Sequence, residues 1–170
     1  MKLLIFSDTH GYLDSARDVL RRIGSKVDAV AHLGDHDMDA QELQQEFPSL
    51  PFHFVAGNND FGMDTPSWKM IHMGGRGILL THGHKQRVYW GMDTISYWAE
   101  EHGADAVLFG HTHRPFYDNG GPILILNPGS ISLPRNSIPS FGILTIEENG
   151  RMEGAVMEYQ RDIPFSRIPM

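Results

Sequence analysis

Short apolar runs, each ending abruptly in polar residues, alternate with amphipathic segments along the first half of the chain. The strand-like runs cover residues 2–8, 29–33 and 52–56. Apolar residues at helical spacing indicate helices over residues 13–23 and 39–47, the second beginning with a capping box. This β-α-β-α-β order predicts parallel strands joined by crossover helices, with polar loops at the carboxyl ends of the strands.

The second half of the chain is richer in strands. A Gly74-Gly75 pair between two apolar runs is typical of a hairpin. One helix is predicted over residues 93–102, and strands are predicted at residues 68–73, 77–81, 106–109, 123–126, 141–146 and 152–159. No repeat, low-complexity segment or linker interrupts the pattern. We therefore predict an α/β fold in a single domain that covers residues 1–170.

The composition excludes several classes of function. The 170 residues contain no cysteine, so disulfides, thiolate metal sites and a cysteine nucleophile are ruled out. No apolar run exceeds four residues, whereas a bilayer span needs roughly 20. The net charge of −7 argues against a protein that binds nucleic acid by neutralising phosphates. We expect a cytoplasmic protein that does not contact a membrane.

Histidine is the residue type in excess, with ten copies, and its placement is informative. Several histidines, aspartates and an asparagine follow directly on predicted strands, at the edge where α/β proteins build their sites. These residues are Asp8, His10, Asp35, Asn58, His82, His111 and His113. Carboxylates and imidazoles gathered in a cleft need cations to neutralise and order them. Such donors suit Mn, Fe, Zn, Co, Ni or Mg.

The local spacing of these donors supports a metal site. In an extended chain, residues i and i+2 point to the same side. We therefore expect Asp8 with His10, and His111 with His113, to present paired ligands in one direction. Seven donors exceed the need of one tetrahedral ion. They suit two ions about 3.5–4 Å apart that share one carboxylate, an arrangement used for displacement at phosphorus.

Five ordered motifs carry a family resemblance. They are Asp8-Thr9-His10, Gly34-Asp35, Gly57-Asn58-Asn59-Asp60, Thr81-His82-Gly83-His84 and Gly110-His111-Thr112-His113. Their order resembles that of the calcineurin-like metallophosphoesterases over residues 1–135. The small size and the segment 127–135 are most similar to the compact YfcE-type phosphodiesterases. The resemblance implies a four-layer metallophosphatase fold, a mixed β-sandwich flanked by helices, around a two-metal centre.

The resemblance also implies a role for each donor. The first metal would be held by Asp8, His10 and His113, the second by Asn58, His82 and His111, and Asp35 would bridge both. The implied activity is hydrolysis of a small-molecule phosphodiester by a hydroxide held between the two divalent ions. Manganese is the expected metal. Asp35 and Asn58 are accordingly predicted to be catalytic as well as ligating.

One position departs from the family pattern. Many members have a histidine where this chain has Asn59, and that histidine is thought to protonate or stabilise the leaving oxygen. An amide donates a hydrogen bond but cannot transfer a proton at neutral pH. We therefore predict that Asn59 acts through hydrogen bonds. His36 and His84, each next to a motif residue, are candidate substitutes for the missing acid.

Other functions were weighed against this one. A non-catalytic scaffold of the retromer-subunit type shares the fold but has an altered metal site, whereas every expected ligand is present here. A phosphomonoesterase or nucleotidase is a variant of the leading hypothesis that the residues leave open.

Several residues outside the ligand set have two interpretations. The aromatic residues Tyr89, Trp90, Tyr97 and Trp98 fit a substrate cleft or, as the favoured interpretation, core or subunit packing, which leaves a homo-oligomer open. His32 is interpreted as a structural residue of a strand, and Asp60 as a turn residue or a support for the ligands. Arg114 and Arg135 fit phosphate binding and simple solvation equally well.

Overall fold

Two sheets and three helices make up the computed structural model, which describes residues 1–61, 64–168 and 170. The helices are α1 (Asp14–Ile23), α2 (Asp37–Glu46) and α3 (Asp93–Glu101), and a short 3-10 helix (Gly24–Lys26) follows α1. The strands are β1 (Lys2–Phe6), β2 (Ala29–His32), β3 (Phe52–Phe54), β4 (Trp68–Met73), β5 (Arg76–Thr81), β6 (Ala106–Leu108), β7 (Pro115–Asp118), β8 (Leu124–Pro128), β9 (Ser140–Ile146) and β10 (Met152–Glu158). Within these ranges, no helix has the length and apolar character needed to cross a membrane.

The first sheet contains β1 and β10, the first and last of these strands along the chain. Its strands lie in the order β10-β9-β1-β2-β3. Strands β1, β2 and β3 are parallel, as the β-α-β-α-β pattern predicts, and α1 and α2 are the connections between them. The predicted closing pair, β9 and β10, is antiparallel and adds to the free edge of β1.

The second sheet is also mixed. Its strands lie in the order β4-β5-β6-β8-β7. Strands β4 and β5 form the predicted antiparallel hairpin, while β5, β6 and β8 are parallel. Strand β7 pairs antiparallel with β8 at the edge. In both sheets, the predicted donors therefore lie in loops that follow the carboxyl ends of parallel strands.

Alternation of side chains along the strands explains the layers. On β1, Leu3 and Ile5 join an apolar cluster between the two sheets, whereas Leu4 and Phe6 join a cluster that includes α1 and α2. Leu79 on β5 faces the other way, into a cluster with α3. Because successive strand residues point to opposite faces, both sheets are covered on both sides. The result is helix–sheet–sheet–helix, and it confirms the predicted four-layer, mixed β-sandwich fold.

Three differences from the prediction have an evident local cause. Strand β7 was not predicted, because Pro115–Asp118 is half exposed and contains no apolar run or alternation; an edge position tolerates its initial proline. Strand β1 ends at Phe6, two residues early, because the backbone turns at Asp8. Helix α2 begins at Asp37, so Asp39 lies in its first turn and does not cap it.

Candidate metal centre

The loops that follow the parallel strands of both sheets bring the predicted donors to one edge of the sandwich. Asp8, His10, Asp35 and His113 offer ligand atoms that all lie within 4.8 Å of one another. Three of these side chains are buried, and His10 is half-buried. These donors come from loops after β1, β2 and β6, which lie far apart in the sequence.

The nitrogen and oxygen atoms that could bind a metal lie close together in this first group. His10 Nε2 lies 3.3 Å from His113 Nε2 and 3.5 Å from Asp35 Oδ2. His113 Nε2 lies 3.2 Å from Asp8 Oδ1. Ring nitrogens and carboxylate oxygens therefore face a common point.

A second group of donors adjoins the first through Asp35. His82 Nε2 lies 3.3 Å from Asp35 Oδ1 and 3.1 Å from Asn58 Oδ1. The ring of His111 packs edge-on against that of His82, with centroids 5.0 Å apart. One carboxylate oxygen of Asp35 thus faces His10 and the other faces His82. All seven predicted donors are brought together in two groups with Asp35 between them.

Backbone carbonyls set the protonation of two of the rings. His82 Nδ1 is 2.7 Å from the carbonyl oxygen of Leu33, and His113 Nδ1 is 2.6 Å from that of Leu133. A carbonyl only accepts hydrogen bonds, so each Nδ1 carries the proton. In a neutral ring this leaves the lone pair on Nε2, which faces the cluster. Such support of the remote ring nitrogen is usual for histidines that bind metals.

Left-handed backbone conformations are concentrated at the site. Positive φ values occur at Asp8, His10, Asp35, His36, His111 and His113. The expectation that the two i, i+2 pairs lie on extended chain is therefore wrong, although their side chains do converge. Tight turns, rather than strand geometry, aim them. Each such residue costs of order 1–3 kcal/mol, and aspartate and histidine tolerate the conformation better than most residues.

Burial and neighbouring side chains keep several of the donor groups in the form that binds a cation. Burial, aided by His82, lowers the pKa of His111 to about 4, so that ring is neutral at pH 7. Burial also lowers the pKa of His10, against the charge of Asp35. For Asp8, burial acts to raise the pKa, but the adjacent ring of His113 and the charge of His82 outweigh it and hold the pKa down.

The donors fit a divalent cation on a further observation. Asp8 Oδ1 is buried and makes no hydrogen bond to any residue of the described ranges. A buried carboxylate oxygen without a partner is costly, and a cation shared with the neighbouring imidazoles would satisfy it. The donor set contains oxygen and nitrogen atoms only, which suits Mn, Fe, Zn, Co, Ni or Mg.

The three remaining candidate residues lie around the donors. Asn59 donates its side-chain N–H to Asp35 Oδ2 at 2.6 Å, so its amide holds the central carboxylate. His36 lies beside His10, with ring centroids 5.4 Å apart, and its side chain is 43% exposed. The ring centroid of His84 lies 5.4 Å from that of His82.

Supporting contacts join the loops to one another. The Asp60 carboxylate accepts backbone N–H groups from His36, Asp37 and Gly57 at 2.7, 2.9 and 2.6 Å, in line with its predicted supporting role. It therefore ties the loop after β3 to the loop after β2.

Sequence reasoning missed two further sets of contacts. Tyr89 packs edge-on against His111, and Thr9 hydrogen-bonds to Asp39 and His32. Only the position of Thr9 between two donors hinted at the second set.

Comparison with known proteins gives consistent findings. The sequence model of the calcineurin-like phosphoesterase superfamily domain matches residues 1–149. A probable metallophosphoesterase of Bacillus subtilis, YsnB, is 38% identical over 151 residues, covering 88% of this chain and 86% of its own. The phosphodiesterase YfcE of Escherichia coli K12 is 27% identical over 167 residues, covering 85% of this chain and 87% of its own. A crystal structure of a predicted phosphoesterase from Streptococcus pneumoniae TIGR4 superposes with a TM-score of 0.77 at 29% identity, covering 98% of this chain and 96% of that one.

Proposed function

Because the chain belongs to the calcineurin-like phosphoesterase superfamily, we propose that it hydrolyses phosphodiesters with two divalent metal ions. The observation that carries this proposal is the position of Asp35. Its two carboxylate oxygens face two different groups of donors, at 3.5 Å from His10 and 3.3 Å from His82. A shared carboxylate is what a two-metal centre for displacement at phosphorus requires.

In this proposal the seven donors divide as the family resemblance implies. Asp8, His10 and His113 would hold one ion, Asn58, His82 and His111 would hold the other, and Asp35 would be shared between them. Divalent ions bound there would supply a nucleophile from water at neutral pH and neutralise charge on the phosphoryl oxygens. Manganese is the proposed metal, and it is one of several divalent ions that oxygen and nitrogen donors without thiolate suit.

The chain's own residues orient the donors and handle the leaving group. Asn59 fixes Asp35 through its side-chain amide at 2.6 Å and its backbone N–H at 3.1 Å. We assign Asn59 this positioning role, and we propose His36 as the proton donor to the leaving oxygen. His36 suits that task because it is half exposed and adjoins His10.

Diester rather than monoester hydrolysis is supported by the name of a relative, the phosphodiesterase YfcE. A non-catalytic scaffold is not favoured, because a full set of donors, with two rings oriented through Nδ1, is more than a scaffold needs. The six left-handed residues at this one place are backbone strain of the kind that clusters at active and ligand-binding sites.

The proposal predicts that metal-stripped protein is inactive and that one of Mn, Ni, Co, Zn or Mg restores turnover. We expect bis-p-nitrophenyl phosphate to be hydrolysed faster than p-nitrophenyl phosphate, with Mn giving the highest rate. The measurement is release of p-nitrophenolate after each metal is added separately to the same stripped preparation.

Two outcomes would contradict this prediction. Faster release from the monoester would indicate a phosphomonoesterase or nucleotidase. Stoichiometric metal binding without turnover of either ester would indicate the scaffold.

A further inference from the structure

A small apolar pocket lies beside the candidate metal centre. It has a volume of about 240 Å³, and its lining includes Val88, Tyr89, Met92, Phe109, Arg114 and Phe116. The ring of Tyr89 packs edge-on against His111, with centroids 4.9 Å apart, and its hydroxyl donates to the His111 carbonyl oxygen at 3.1 Å. Tyr89 therefore belongs both to the pocket and to the surroundings of a proposed metal ligand.

The walls of this pocket are held in place. Arg135 donates to the Tyr89 hydroxyl at 2.7 Å, and Phe109 is fully buried with its ring centroid 6.5 Å from that of Phe116. Thr112 and Arg114 line the pocket, and they alternate along the loop with His111 and His113. One loop thus contributes residues both to the metal centre and to the pocket, which keeps the two close together.

The size and walls of the pocket indicate what it would hold. Pockets for whole drug-sized ligands have volumes of roughly 300–1,000 Å³, so this one suits a single substituent. Aromatic walls favour a planar ring, which stacks on them. Arg114 is exposed and forms no ion pair with any residue that the structure describes. Its guanidinium would attract an anionic ester and stack on a ring.

The position of His36 shows which ester group would reach this pocket. His36, the proposed proton donor to the leaving oxygen, adjoins His10 in the first donor group. Tyr89 adjoins His111 in the second. We propose that the pocket binds an aromatic ring on the ester group that stays on the phosphate. This proposal rests on the proposed phosphodiesterase activity. The enzyme would then select aryl or nucleoside esters over alkyl esters.

Two diesters that share a p-nitrophenol leaving group test this proposal. One carries a phenyl and the other a methyl group as the retained ester. We expect Phe116→Ala to lower the phenyl-to-methyl ratio of kcat/KM about tenfold, because it removes an aromatic wall. Tyr97→Ala, which removes a tyrosine that is 67% exposed on α3 and outside the pocket, is the matched control and should leave the ratio unchanged.

A binding measurement separates this proposal from the proposed function. Calorimetry with phenyl phosphate and methyl phosphate on the manganese-loaded protein reports the pocket even if neither diester is hydrolysed. Met92→Trp, which fills the pocket, replaces Phe116→Ala if that variant does not fold. An equal phenyl-to-methyl ratio in the wild type and in the pocket variant would overturn the pocket assignment. The ratio is that of kcat/KM where turnover occurs and that of binding affinity where it does not.

A buried hydrogen-bond network around Thr9 carries a second, independent inference. Thr9 lies between Asp8 and His10, and its hydroxyl donates to Asp39 Oδ2 at 2.6 Å. The same carboxylate oxygen accepts the backbone N–H of Gly11 at 2.8 Å. Helix α2 is thereby joined to the loop that carries two proposed ligands.

The proton positions in this network follow from its partners. A carboxylate only accepts, so the single Thr9 hydroxyl proton is directed to Asp39. The hydroxyl oxygen then accepts from Nε2–H of His32, 2.9 Å away. His32 is fully buried, and its Nδ1 has no hydrogen-bond partner among the described residues. The Thr9 hydroxyl is therefore held twice, as a donor to Asp39 and as an acceptor from His32.

The geometry points to Thr9 as a positioning residue for the first metal. We expect Thr9→Val, which removes the hydroxyl and keeps the shape, to weaken manganese binding about 10- to 100-fold, as loss of a supporting contact does in other metal sites. Thr9→Ser keeps the hydroxyl and should restore affinity. Thr94→Val, at an exposed threonine of α3, is the control.

Manganese dissociation constants and thermal unfolding of the metal-free protein decide between positioning and simple stability. A Thr9→Val variant that unfolds earlier but binds manganese as the wild type does would show a purely structural role. Weaker binding in Thr9→Val together with rescue in Thr9→Ser would support positioning.

Discussion

Replacing Asp35 by asparagine is expected to lower kcat/KM for a phosphodiester by about 100-fold or more and to remove at least one bound metal ion. The substitution keeps the shape of the side chain but removes its charge, and it places an amide nitrogen toward either His10 or His82. Loss of a contact that only supports a metal ligand lowers metal affinity or activity about 10- to 100-fold. Loss of a ligand shared by two ions should therefore lower them by at least the upper end of that range.

Asp162→Asn provides a matched control for this variant. Asp162 is exposed and, like Asp35, has a left-handed backbone, with φ of 61° against 57°. Any general effect of asparagine at positive φ is therefore present in both variants. The measurements are p-nitrophenolate release and metal content after dialysis. An Asp35→Asn variant that keeps both ions and the wild-type rate would contradict a bridging role.

Gly57→Ala is expected to damage both stability and activity, because there is no room for a methyl group at this position. A Cβ at residue 57 would lie 2.2 Å from Asp35 Oδ1 and 2.5 Å from the Asp35 backbone nitrogen. A backbone atom cannot rotate aside as a long side chain can, so the loop after β3 has to shift. We expect a loss of about 1–3 kcal/mol in the free energy of unfolding. A shift of the adjacent Asn58 by about 1 Å is expected to lower kcat/KM about 100-fold.

Gly121→Ala is the control for this substitution. Gly121 is exposed, and a Cβ there would meet no atom within 4 Å. Denaturant unfolding and diester hydrolysis, measured on both variants, test the prediction. Wild-type activity in Gly57→Ala would show that the two loops adjust independently and that their close packing is not required.

The sequence predicted most of the fold because its strands are buried on both faces or alternate regularly. Strands β1, β2 and β5 are apolar runs bounded by glycine or polar residues, and the parallel pairing of β1 with β2 follows from the helix between them. Strand β7 was missed because an edge strand packs few side chains and leaves little hydrophobic signal. The extent of the domain, residues 1–170, stays a prediction.

For the candidate site, the sequence predicted which side chains lie close together but not the backbone geometry that brings them there. Polar residues that follow parallel strands must collect at one edge, so the seven donors could be named from their positions alone. Their left-handed turns were not predictable, because short polar motifs are compatible with extended and turned backbone alike. Nor did any local pattern indicate that Asp39 turns toward Thr9 instead of capping α2.

The amino-acid sequence by itself determined where most of the strands lie and which polar residues follow them, since both are apparent from patterns that span only a few positions. Only the tertiary structure decided which ring nitrogen of His82 and of His113 faces the centre, and that an aromatic pocket adjoins His111. Those features depend on contacts between segments tens of residues apart, such as His82 with the carbonyl of Leu33 and Tyr89 with His111. Such contacts arise from the packing of two sheets, which no periodicity within a single segment records.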